Sequence, residues 1–182
     1  VPRDTADAAT GAVAPIALEK LEDFKGLQIR TMENSNHMAF WTAIGAEPTP
    51  LAWAEVYFAL QSGTITAEEN AADTIVGANL NEVQKYLAET NHILYVNQIS
   101  INKDSWDALD PAYQAALEQA VTEAIAEMRE KLVTIDSDNK QLLQNNGMTL
   151  ITYDKSFYEE VLGLDGVKEL YSQIDTDTNG LA

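Results

Sequence analysis

In the segment GLQIRTMEN, Arg30 closes a short apolar run where a charge is normally unwelcome. A guanidinium presents a planar fork of donors that matches a carboxylate in bidentate fashion. The chemistry it offers is therefore the anchoring of an organic acid; the alternative is an ion pair with Glu33 or another of the 29 acidic residues. Further along, EPTPLAWAEVYFALQSG places Trp53 in the first turn of a helix. There it either fills the core or faces a ligand at the helix start, where free N–H groups and the macrodipole favour anions. TAEENA, residues 66 to 71, brings Glu68, Glu69 and Asn70 together. Asn70 either caps the following helix or offers its amide to a ligand. Glu68 near a pocket repels an anion, or accepts hydrogen bonds from an amine or hydroxyl. Adjacent strand residues point to opposite faces, so Glu68 and Glu69 do not read as a hydrolytic pair.

Other chemistries find little support. The histidines, His37 and His92, sit among apolar residues and read as structural. No GxSxG, HExxH or glycine-rich phosphate loop is present, and the chain has no cysteine, which removes thiol nucleophiles, thiolate metal sites and disulfides. The expectation is a protein that is not an enzyme and needs neither cofactor nor metal. At the C-terminal end, DTDTNG matches the first half of a calcium loop, but a polar, frayed tail is the preferred reading. With 11 basic residues against 29 acidic ones the net charge is −18, so nucleic acid and anionic membrane are poor partners. An anionic ligand then needs a local cation. The start of the chain lacks the basic-plus-apolar pattern of a signal peptide, which suits an intracellular chain or a mature or trimmed form.

The elements that must position these residues follow from pattern and punctuation. Residues 1–19 read as an irregular lead-in. Leu27 to Thr31 forms a short strand, Asn34 or Ser35 caps a helix carrying Met38, Phe40, Trp41 and Ile44, and Pro48 and Pro50 force an extended connector. A second helix runs from Ala52 to Ser62 and stops at Gly63, followed by a strand-like TIT. Residues 70 to 90 look helical, and ILYVNQISI, residues 93 to 101, has strand composition. Asp110 and Pro111 start a long helix that meets no proline or glycine before Gly147. Thirty-six residues make a rod of about 54 Å, longer than a small domain of roughly 30 Å. Such a helix crosses two lobes or reaches a partner. MTLITY then gives a strand and Asp154 caps a last helical segment. The order of elements predicts an α/β fold with a parallel or mixed sheet.

Four stretches, GLQIRTMEN, GAEPTPLAWAEVYFALQSG, EEN and NEVQKYLAETNHI, together resemble the solute-binding proteins of tripartite ATP-independent periplasmic (TRAP) transporters. The likeness covers residues 20 to about 175, and 20–175 looks like the C-terminal portion of such a receptor, with 176–182 as a polar tail. It implies a periplasmic-binding-protein-like α/β lobe with a mixed sheet and one long lobe-spanning helix. It also implies a periplasmic receptor that captures a small carboxylate and delivers it to membrane permease subunits. By that resemblance Arg30 binds the ligand carboxylate, Asn70 faces the ligand and Trp53 packs beside it, with Glu68 and Asn34 as further candidate contacts. The family usually has DGQENP where this chain has TAEENA, so Glu68 stands in place of an amide. A second reading is a dimerisation or interaction module derived from such a lobe, a homodimer formed through exposed surface.

Overall fold

Six short strands form one sheet in the computed structural model, which describes residues 10–93 and 98–179 with the side chain of Val133 excepted. They are β1 Gly11–Ala14, β2 Gln28–Thr31, β3 Glu47–Pro50, β4 Ala67–Asn70, β5 Tyr86–Ala88 and β6 Thr149–Ile151, in the spatial order β3-β2-β4-β1-β5-β6. β1 runs antiparallel to both its neighbours, and the remaining pairs are parallel. The helices are α1 Ser35–Ala43, α2 Trp53–Ser62, α3 Ala72–Gly77, α4 Lys103–Asp107, α5 Pro111–Asn145, α6 Lys155–Gly163 and α7 Asp165–Asp177. The mixed α/β class predicted from the order of elements is the one observed.

Burial on both faces explains why these strands form. Ala12, Ala14, Ile29, Ala67 and Ala88 pack on one side against Phe24, Trp41 of α1, Phe157 and Val161 of α6, and Val167 of α7. Val13 and Leu87 pack on the other against Val56 and Leu60 of α2, Ile75 of α3 and Leu143 of α5. Small side chains on the first face let an aromatic cluster approach, with Phe24 stacked on Trp41 at 6.1 Å between ring centroids.

β1 corrects the expectation of an irregular lead-in over residues 1–19. Its four residues, GAVA, are all buried at the middle of the sheet. A strand covered on both faces carries no polar alternation to betray it, and four small residues are too short a run to read as one. Pro48 and Pro50 are likewise more than a connector, because they lie in the edge strand β3. The Glu47 and Leu51 amides donate to the Leu27 and Thr31 carbonyls of the neighbouring chain at 2.8 and 3.3 Å. The prolines take the alternate positions, where no N–H is required of an edge strand.

Three boundaries move. The strand after Gly63 is Ala67–Asn70 rather than TIT. The helical reading of residues 70 to 90 holds for Ala72–Gly77 and a single 3-10 turn at Leu80–Glu82; Asn79 between them adopts a left-handed φ of 54°, and Tyr86–Ala88 is a strand. Of the strand expected over residues 93 to 101, residues 94–97 lie outside the described residues and 98–101 have no regular structure.

α5 begins as predicted, with Asp110 Oδ1 accepting from the Ala112 amide at 2.8 Å and Pro111 in the first turn. Its 35 residues span about 52 Å. Among the described residues its C-terminal end docks on the sheet: Leu143 is buried, and Lys140 pairs with Glu89 at 2.5 Å and Asp136 at 2.6 Å. Tyr113, Leu117 and Met128, which recur along one side of the helix, stand exposed. The last helical segment is two helices, broken where Leu164 turns to an extended ψ of 137°. α7 continues through Asp177, so Asp175 to Asp177 have helical backbone in place of either a calcium loop or a tail fraying from residue 176.

Gly11 tests the position of β1. A Cβ there would lie 2.8 Å from the Ala88 carbonyl oxygen and 2.8 Å from Leu87 Cδ1. Gly11→Ala must push β1 away from β5 and should cost about 1–3 kcal/mol by overpacking. Denaturant unfolding checks it: an unchanged midpoint contradicts this placement.

Candidate ligand-binding site

Alternation along β2 sends Ile29 into the aromatic core and Arg30 to the opposite face, at the carboxyl end of the strand. In open α/β sheets this end is where ligands bind. Arg30 is 4% exposed, yet it is not neutralised in the usual way. Its Nε donates to the Leu51 carbonyl at 2.9 Å, and among the described residues no carboxylate lies within ion-pairing distance of it. The expected alternative, a pair with Glu33, does not form. Burial pulls the Arg30 proton affinity down, opposed by the fields of Glu68 and Glu69, but a guanidinium stays charged throughout.

Trp53 is the first residue of α2, and its ring lies 5.4 Å from the Arg30 guanidinium carbon. This is within the range of a cation–π contact. The side chain is 42% exposed, so it leaves the core to Val56 and Leu60 and keeps surface free above the cation. The helix start beside it, at Ala52, has no side-chain cap. Leu51, between the edge strand and α2, thus supplies the acceptor that orients Arg30 while the next turn supplies the ring.

β4 carries the remaining candidates. Asn70 does not cap α3, whose N-cap is Ala71; its amide donates to Glu68 Oε2 at 3.3 Å. Glu68 lies opposite Arg30 in the β2–β4 register and is completely buried, with Oε1 unpartnered. A ligand contact at Glu68 therefore finds no open surface; the carboxyl lies behind the anchor. Burial pushes it up to about 8, Asn70 opposes, Glu69 adds and Arg30 opposes. Asn34 is the N-cap of α1, with Oδ1 accepting from the Asn36 and His37 amides at 2.9 and 3.2 Å. That occupies its carbonyl and leaves the amide hydrogens.

The opposite face of β4 holds a cluster that the sequence order does not bring together. Glu69 is 4% exposed and lies 3.6 Å from His37 Nδ1 and 3.3 Å from His92 Nε2, close ion-pair distances without hydrogen-bond alignment. His92 Nδ1 meets Thr90 and Thr10 hydroxyls at 2.8 and 3.2 Å, and its ring stacks on Phe40 at 5.0 Å. The available signal was that the chain's two histidines are both within reach of an acid on a strand of alternating faces. A cavity of about 190 Å³ lined by Phe40, His92, Phe157 and Tyr171 lies on this side too, away from Arg30.

A sheet between helices carries a cation and an aromatic ring at the carboxyl ends of its parallel strands, the end at which open α/β sheets take up ligands. Residues 7–163 match the family profile of bacterial extracellular solute-binding proteins, family 7, and the chain belongs to that family, the solute-binding receptors of TRAP transporters. It is 36% identical over 135 residues to a solute-binding protein of Verminephrobacter eiseniae, covering 74% of this chain and 40% of that one. It is 35% identical over 143 residues to the 2,3-diketo-L-gulonate-binding periplasmic protein YiaO of Escherichia coli, covering 78% and 43%. A TRAP periplasmic solute-binding protein of Roseobacter denitrificans, solved with bound L-galactonate, superposes with a TM-score of 0.80 at 27% identity over 90% of this chain and 53% of that one. The chain spans less than half the length of these two curated relatives.

Burial of Glu68 has a pH signature. Its folded value of about 8 lies above the ordinary 4.5, so the folded chain holds a proton that the unfolded chain releases. Stability should fall as pH rises from about 4.5 to about 8 and level off beyond. At about 1.4 kcal/mol per tenfold change in proton affinity the loss is a few kcal/mol. Glu68→Gln should flatten this slope and stabilise the chain at pH values above about 8, read by urea unfolding across pH; an unchanged slope contradicts it.

Proposed function

We propose that this chain forms the carboxylate-anchoring wall of a periplasmic receptor that captures a small organic acid and delivers it to TRAP permease subunits. The observation that carries the reading is Arg30, a nearly buried guanidinium tied through Nε alone and without an acidic partner among the described residues. Its terminal nitrogens are the donors a ligand carboxylate needs, and in a chain of net charge −18 they supply the local attraction. Trp53 packs against the apolar part of the ligand, Asn70 and the Asn34 amide are further candidate contacts, and the second wall comes from the rest of a full-length receptor. Family membership supports the transport role, and the sugar acids named for YiaO and for the Roseobacter protein support a hydroxylated carboxylate as ligand. No described helix is long and apolar enough to cross a membrane.

Mutation of the anchor checks the reading by calorimetry against a panel of aldonates and dicarboxylates. Arg30→Ala should cost about 2–5 kcal/mol of binding, and Arg30→Lys should recover only part because it keeps the charge without the fork. Unchanged affinity in Arg30→Ala overturns the assignment.

The exposed stripe of α5 favours a second reading, association of two copies through Tyr113, Leu117 and Met128. Sedimentation equilibrium decides it: this reading expects a dimer that Leu117→Glu dissociates, and a monomer at all concentrations removes it.

A further inference from the structure

The anchor accounts for Arg30 but leaves Glu68 without a task. This carboxyl is completely buried, one oxygen has no partner, and the other receives only the Asn70 amide. It stands opposite Arg30 across the β2–β4 pair, yet Arg30 turns its Nε to the Leu51 carbonyl instead. Two groups of opposite charge thus share one patch of sheet without meeting. A buried carboxylate that lacks a cation partner sheds its charge by binding a proton.

We propose that Glu68 is a proton-gated counter-charge to the anchor: it keeps its proton while a carboxylate occupies Arg30, so that ligand capture takes up a proton. This rests on the reading of Arg30 as the anchor. With the anchor empty, an ionised Glu68 can neutralise the guanidinium through the sheet. A docked carboxylate brings the same negative charge to the solvent side of Arg30, and two anions around one cation are worse than one. The proton therefore binds more tightly to Glu68 when ligand is present, and by reciprocity ligand binds more tightly when Glu68 is protonated.

The surroundings leave Glu68 as the group that titrates against the anchor. β1 faces it with Val13, and Val56 of α2 and Ile75 of α3 form the apolar layer on this side of the sheet. Glu55 and Asp73 of those helices are exposed. The other nearby charges are Arg30 itself and Glu69, which points to the opposite face toward His37 and His92. With burial as the largest cause, the Glu68 carboxyl sits at about 8, so affinity for a carboxylate should be level below about pH 7 and fall by up to tenfold per pH unit above about 8. A glutamine amide at this position would hold no proton to exchange, so the gate depends on the carboxyl of Glu68.

Carboxyl-carbon NMR on the full chain tests this, with the Glu68 resonance assigned by its disappearance in Glu68→Gln. The ligand-free chain should show that resonance titrating near 8, and Arg30→Met, which keeps the packing stem, should move the midpoint upward. L-galactonate as probe should also raise the midpoint, and calorimetry in two buffers of different ionisation enthalpy should show proton uptake near pH 8 that Glu68→Gln abolishes. A Glu68 midpoint in the ordinary carboxylate range, or one that Arg30→Met leaves unmoved, overturns the gate whatever the chain binds. Binding of the probe with a pH-independent affinity overturns the gate and leaves the anchor standing. A midpoint that responds to Arg30→Met, with no binding of the probe or of other aldonates at any pH, overturns the anchor reading and the ligand-linked step with it.

Discussion

A guanidinium held under the surface with no ion-pair partner among the described residues is the constraint around which this lobe is arranged. Removing a charge from water is costly unless it is paired, and Arg30 has instead a carbonyl at Nε and an aromatic ring above. Each of these comes from a different turn of the same connection. The proline-bearing edge strand β3 leads to Leu51, and the uncapped start of α2 delivers Trp53. The rest of the fold fixes that geometry: β4 seats β2 from the other side, and β1, covered on both faces, ties β4 to the β5–β6 half of the sheet.

The two faces of β4 divide the electrostatics. Glu68 lies with Arg30 in a layer of aliphatic side chains, whereas Glu69 lies with both histidines against Phe40 and Trp41. Consecutive acids in the sequence thereby serve separate environments, one beside a guanidinium it does not pair with and one flanked by imidazoles. α5 shows a similar division along its length. Its last turns are locked to the sheet edge through Leu143 and the Lys140 pairs, while its first half carries an apolar stripe with no partner among the described residues.

Much of this was legible from single residues whose physics is local. Asp110 with Pro111 starts α5, Gly63 ends α2 in a left-handed conformation, and Asp154 caps α6. Arg30 was identifiable because a charge at the end of an apolar strand needs a reason. What escaped depended on tertiary context. GAVA has no alternation because both of its faces are buried, and Tyr86–Ala88 looked helical because Leu80, Val83 and Leu87 happen to fall at helical steps. Glu68 read as a ligand contact because its depth, and its distance from any cation partner, are properties of the packed sheet. The convergence of both histidines on Glu69 joins α1, β4 and the residue that follows β5 by four, which no local pattern records.

Direct observation of the Arg30 side chain tests the account at its centre. The chain has three arginines, Arg3, Arg30 and Arg129, so their guanidinium nitrogens can be resolved and assigned by nitrogen-detected NMR with Arg30→Lys as reference. The account predicts that the Arg30 terminal nitrogens exchange freely without ligand and become shifted and protected when a small hydroxylated carboxylate is bound. Binding of such a carboxylate with the Arg30 nitrogens unchanged would contradict it.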